Sequence, residues 1–215
     1  MNNELQILKK TGCYADFTFP SINEANPRQI NCIYYEIDDP DKPKSHNTGR
    51  RVKKDGAETG DLMMIQGPLH PFLFSEKISS LRYVNDAIDG DPIVTGKRID
   101  AWIKTGIHVE GKRNWVFVKN HTHGTMRSDA ALGKDVERIF SHLETRYNDG
   151  KEYILHYVTA REAYNIIKAV ESGKNYSDPE KYRDFLIEKP KYDSSPRIPE
   201  ASDYLKSLID KACSS

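Results

Sequence analysis

The chain has 215 residues and a mass of 24.6 kDa, and its 32 Lys and Arg are balanced by 32 Asp and Glu. A formal charge of zero without long like-charge runs lacks the basic excess of a polyanion binder, so no nucleic-acid partner is expected. Three scattered cysteines, Cys13, Cys32 and Cys213, have no CxxC spacing, which argues against a disulfide framework and a structural zinc cluster. No run approaches the roughly 18 apolar residues of a membrane span. The first residues lack the basic and apolar regions of a signal peptide, so the expected setting is cytoplasmic.

In chain order, Asn2 or Asn3 caps a short helix carrying Leu5, Ile7 and Leu8, stopped by Gly12. A strand is predicted from Cys13 to Phe19, ended by Pro20, with Asp16 inside it. A second extended segment runs from Ile30 to Ile37. From Asp38 to Gly60 the chain is polar and broken by Pro40, Pro43, Gly49, Gly56 and Gly60. A loop that long in a compact domain is usually functional or mobile. Its His46 reads either as a solvated loop residue or as a ligand group folded over a site.

Asp61 to Leu69 is the third strand signal, a continuous apolar run of the type buried on both faces in parallel sheets, with Gln66 near its end. A loop is predicted from there to about Thr95, with Phe72, Leu73 and Phe74 packing inward. Ile99, Trp102 and Ile103 mark a helix from Arg98 to Thr105.

Trp115 to His121 reads as a buried strand delivering His121-Thr122-His123 to its end, before Gly124. Strand side chains alternate faces, so the two histidines share one side, about two rises of 3.3 Å apart. Two such imidazoles can converge on one ion at about 2.0–2.1 Å, or one can donate to a substrate oxygen while the other orients it. The plainer alternative is one ring capping a carbonyl and the other solvated.

Leu132, Val136, Ile139, Phe140 and Leu143 then form an amphipathic helical stripe ending at Asn148-Asp149-Gly150. Tyr153 to Val158 reads as a fifth strand, in which His156 is a core or interface residue. Thr159-Ala160-Arg161-Glu162 is a capping box for a helix with Tyr164, Ile167 and Val170 inward, closed by Gly173. Residues 1–173 are therefore read as one body. Residues 174–215 are read as a polar, Pro-containing extension with a last short helix from Ala201 to Ala212. Strands alternating with helices predict an α/β fold with mostly parallel strands, either sheet or barrel. In such folds sites gather at the C-terminal strand ends, which would bring Asp16, Gln66, His121 and His123 to one rim.

Four stretches together resemble a known family: Thr11-Gly12-Cys13-Tyr14-Ala15-Asp16-Phe17-Thr18-Phe19-Pro20, Ile65-Gln66-Gly67-Pro68, Phe117-Val118-Lys119-Asn120-His121-Thr122-His123-Gly124, and His156-Tyr157-Val158-Thr159-Ala160-Arg161-Glu162. They resemble the C-terminal half of bacterial polysaccharide deacetylase-like proteins, from about Asn2 to Gly173. The resemblance implies part of an irregular (β/α) barrel and a metal-assisted hydrolase that removes acetyl groups from N-acetylated sugars. It implies a divalent metal, often zinc, held by one Asp and two His, a second Asp as base, and a late-strand His as general acid. Only the late-strand histidine maps here, onto His121 or His123, which are also the candidate metal ligands. Asp16 is a further catalytic candidate, with His46 and Gln66 as substrate contacts. The Asp-Asp pair and His-x-x-x-His motif of the family's first half have no counterpart, since Asp38-Asp39 lies in a Pro-rich loop. A fragment of a longer protein is therefore expected, linked to surface-polysaccharide metabolism. The alternative is a carbohydrate-binding or assembly protein without the metal, stacking sugars on Trp115, Tyr34 or Tyr35.

Overall fold

The computed structural model describes residues 2–88, 94–123, 132–174 and 177–192. Six short strands and four helices are present among these residues. The strands are β1 (Ala15–Asp16), β2 (Ile33–Glu36), β3 (Gly49–Arg51), β4 (Leu62–Ile65), β5 (His70–Leu73) and β6 (Leu81–Val84). The helices are α1 (Glu4–Lys10), α2 (Gly96–Thr105), α3 (Lys134–Tyr147) and α4 (Ala160–Glu171).

The central sheet has the order β1-β4-β2-β3. β1 runs parallel to β4, but β2 is antiparallel to both β4 and β3. This overturns the expected partial (β/α) barrel with mostly parallel strands: the fold is a small mixed α/β arrangement. The misleading signal was the apolar run of β4, read as a strand of a parallel sheet. All four of its residues are buried, yet the two layers that cover it belong to a mixed sheet.

Register explains those layers, because paired residues share a face. Ile33, Tyr35, Met63 and Ile65 form the larger core with Val52, Ile107, Val109 and, from α4, Ile167 and Val170. Cys32, Tyr34 and Met64 point to the opposite side, against Phe19.

The helices follow the sequence more closely. Thr159 accepts from the Glu162 amide, and the Glu162 side chain returns to the Thr159 amide, so the capping box opens α4 as expected. α2 is capped by Thr95 and stopped at Gly106, whose φ of 66° suits glycine. It packs Ile99 and Trp102 against Ile139 and Tyr147 of α3. Along the expected α3 stripe, Ile139 is buried, whereas Leu132 and Phe140 are exposed.

Two predicted strands are not ladders. Residues 115–121 form no ladder among the described residues and meet other backbone at single points, such as Phe117 N to Ile107 O and Ile88 N to His121 O. Val116 is exposed, and Trp115 rests on Tyr182. Residues 153–158 lie along α3, where Tyr153 packs on Tyr147 and Tyr157 on Phe140. Conversely, part of the predicted loop before Thr95 is the β5–β6 hairpin. Leu73 and Phe74 are exposed there rather than packed inward.

Part of the expected extension docks on α4. The fully buried Asn165 donates to the carbonyls of Arg183 and Ile187 and accepts from the amides of Leu186 and Ile187. Cys213 and the expected helix from Ala201 to Ala212 lie outside the described residues. Among the described residues no helix is long and apolar enough to cross a membrane.

Candidate functional site: an imidazole held by a buried carboxylate

The chain beyond β6 carries Asp86, which is fully buried. Two backbone-directed contacts fix this segment. Arg98 of α2 donates to the carbonyls of Asn85 and Ala87 at 3.1 and 3.3 Å. Ala87 bridges to His121 in parallel, and the Ile88 amide donates to the His121 carbonyl at 3.0 Å. The Asn120 amide also reaches the Asp86 carbonyl at 3.3 Å.

These contacts bring Asp86 against the side of the 115–123 segment that bears Lys119 and His121. Nδ1 of His121 lies 3.0 Å from Asp86 Oδ2, and Lys119 Nζ lies 2.7 Å from the same oxygen. The Asp86 side chain is inaccessible and that of Lys119 only 12 % exposed, while His121 keeps 31 % of its side chain in solvent. A carboxylate on Nδ1 fixes the ring and leaves Nε2 as the proton-handling atom. Gly67, just past β4, completes the wall: a β-carbon there would stand 2.5 Å from the Asp86 carboxyl carbon.

His123 stands beside His121, with ring centroids 5.6 Å apart and planes at 86°. The expected neighbourhood of the two histidines therefore holds. As a metal pair they are incomplete. His121 commits Nδ1 to Asp86, and among the described residues no cluster of three or more His, Cys, Asp or Glu could hold an ion. A catalytic zinc normally keeps three protein ligands. These residues fit an oriented acid–base imidazole.

The other candidates take different places. Asp16 pairs with Met64 across β1 and β4, and its Oδ1 accepts the Thr18 amide at 2.7 Å. His46 stacks on Phe19 at 4.9 Å, and burial is the main influence holding its pKa below the usual imidazole value. Asp16 raises the pKa of Glu36, and it acts on His46 in the same way. Gln66 is fully buried as an internal clamp: Oε1 accepts the Cys32 amide at 3.1 Å and Nε2 donates to the Gln29 carbonyl at 2.8 Å. Tyr34 and Tyr35 are core residues, which removes them as sugar-stacking faces, while Trp115 is half-buried against Tyr182.

Two more histidines meet carboxylates, His142 with Asp100 at 2.8 Å and His156 with Glu180 at 2.7 Å. Those carboxylates are partly exposed and serve as staples, the first between α3 and α2. Asp86 differs by being sealed from solvent. Asp86 lies in the stretch before Thr95 whose composition is that of a loop, so the sequence does not mark it. No local pattern singles it out, since β6 ends at Val84 and Asp86 lies in the bend that follows.

Comparison with protein-family models, curated proteins and solved structures finds no significant match to this chain.

Proposed function

We propose that this chain is part of a carbohydrate-active hydrolase of polysaccharide deacetylase-like type, which releases acetate from N-acetylated sugars. The observation that carries this reading is the contact of His121 Nδ1 with the buried Asp86 carboxylate. Amide hydrolysis stalls on expulsion of an amine, a poor leaving group until its nitrogen is protonated. An imidazole anchored on one nitrogen can present the other to that amine. In the proposed step His121 Nε2 takes a proton from water as the water oxygen bonds to the acetamide carbon and the carbonyl π pair moves onto its oxygen. The C–N bond then breaks, its electron pair stays on nitrogen, and His121 Nε2 gives up its proton to that nitrogen. Asp86 stabilises the imidazolium beforehand and holds the ring through the transfer. Lys119 shares the carboxylate oxygen and keeps the charge balanced in a buried site.

The test is acetate release from an N-acetylated glucosamine oligomer by the wild type and by His121→Ala and His123→Ala. Removal of a general acid costs roughly 10²–10⁴-fold in rate. The His121 variant is expected to lose activity in that range and the His123 variant to lose much less. Equal rates for wild type and His121→Ala would remove this histidine from the mechanism.

A further inference from the structure

His70 is 5 % exposed, and among the described residues neither ring nitrogen has a hydrogen-bond partner. Leaving a buried donor and acceptor unpaired is costly, and nothing in the packing excuses it. The residue before it is firmly held, since Asn31 donates to the Leu69 carbonyl at 2.8 Å and accepts its amide at 2.7 Å. The ring therefore points where the chain fixes it.

Its neighbours in the chain and one shared charge tie it to the site already described. His70 pairs with Val84 across β5 and β6, and Asp86 follows Val84 by two residues. Gly67, three residues before His70, is the residue that lies against the Asp86 carboxyl. Arg98 links the two groups electrostatically, being attracted to Asp86 and repelling a charge on His70. Burial, reinforced by Arg98, pushes the His70 imidazole down to about 4. At neutral pH it is an uncharged ring with one N–H and one lone pair. An amide offers the complement, a carbonyl acceptor and an N–H donor.

We propose that His70 is a second substrate-contacting residue of the Asp86–His121 site and takes the acetamido group of the sugar. This rests on the function proposed above. Both nitrogens are shielded, so contact requires the β5–β6 hairpin to lift. The hairpin is a two-stranded sheet apart from the central one, marginal by itself. It packs on α2 through β5, while Leu73, Leu81 and Tyr83 on its outer side are exposed.

The experiment uses the full chain as wild type, His70→Phe and His70→Gln. Imidazole resonances are followed by NMR while a fully N-acetylated glucosamine tetramer, or its de-N-acetylated counterpart, is added. Acetate release and thermal unfolding are measured alongside. The His70 resonances are expected to move with the acetylated oligomer only. His70→Phe should bind about tenfold more weakly, the size of one neutral hydrogen bond, and His70→Gln should recover most of the loss. His70→Phe should also unfold at no lower a temperature than wild type, which a structural histidine would not allow. Resonances that stay still with the acetylated oligomer, or a Phe variant that binds like wild type, would overturn the proposal. Moving resonances without acetate release would keep the His70 contact and remove the hydrolase reading. Acetate release with still resonances would do the reverse.

Discussion

Asp86→Ala is expected to destabilise the protein by about 3–5 kcal/mol, the range for removing one partner of a buried ion pair. The reason lies in what is left behind. Lys119 is almost as buried as the carboxylate it faces, so its ammonium would remain in a weakly polar interior without compensation. The Asn85–Ile88 segment would also lose its side-chain link to residues 119–121. Adding Lys119→Met to Asp86→Ala should therefore recover a large part of the loss, because the stranded charge goes as well. Urea unfolding of wild type, both single variants and the double variant measures this. A loss below 1 kcal/mol for Asp86→Ala would mean that the pair is solvated and that His121 has no rigid anchor.

The second large effect is a pH dependence centred on Glu36. Its carboxyl is fully buried, and among the described residues neither oxygen has a hydrogen-bond partner. Burial pushes its pKa from 4.5 up to about 8, with Asp16 from β1, Glu4 from α1 and Asp38 adding to the rise. The folded protein thus holds this proton more tightly than the unfolded chain. The stability contributed by the protonated group is fully present below pH 4.5 and is lost as pH rises through about 8. The span corresponds to on the order of 5 kcal/mol. Glu36→Gln mimics the protonated state at every pH. Wild type and variant are expected to have similar stability near pH 4.5, with the variant progressively more stable up to pH 8 and the gap constant above it. Parallel stability curves across that window would show that Glu36 ionises normally.

How much of this could be read from residues alone divides along physical lines. Local signals were reliable: the capping box at Thr159, the Gly106 stop of α2 and the burial of Ile99, Trp102, Ile167 and Val170 follow from neighbours within one or two turns. Strand pairing was not. The apolar run at Leu62–Ile65 announces a strand covered on both faces, but parallel and antiparallel partners can bury it equally well. Its pairing with β2 joins residues about thirty positions apart.

The 115–121 and 153–158 segments show the same limit. Their apolar residues pack on Tyr182 and on α3, not in a ladder. At the site, His121 and His123 could be singled out because two imidazoles at strand spacing are unusual. Asp86 could not, because a carboxylate acquires its meaning from burial and from a partner 35 residues away. Gln66 gives the converse case: its position after a strand suggested a rim, whereas both ends of its amide are used internally.

The central claim is that Asp86 holds the Nδ1 side of His121 and so leaves Nε2 for proton transfer. Nitrogen-15 NMR of the histidine side chains tests it most directly, by reading which nitrogen carries the proton in the neutral ring. The arrangement predicts the Nδ1–H form for His121 in the wild type and loss of that preference in Asp86→Ala. A neutral His121 that carries its proton on Nε2, unchanged by Asp86→Ala, would contradict it.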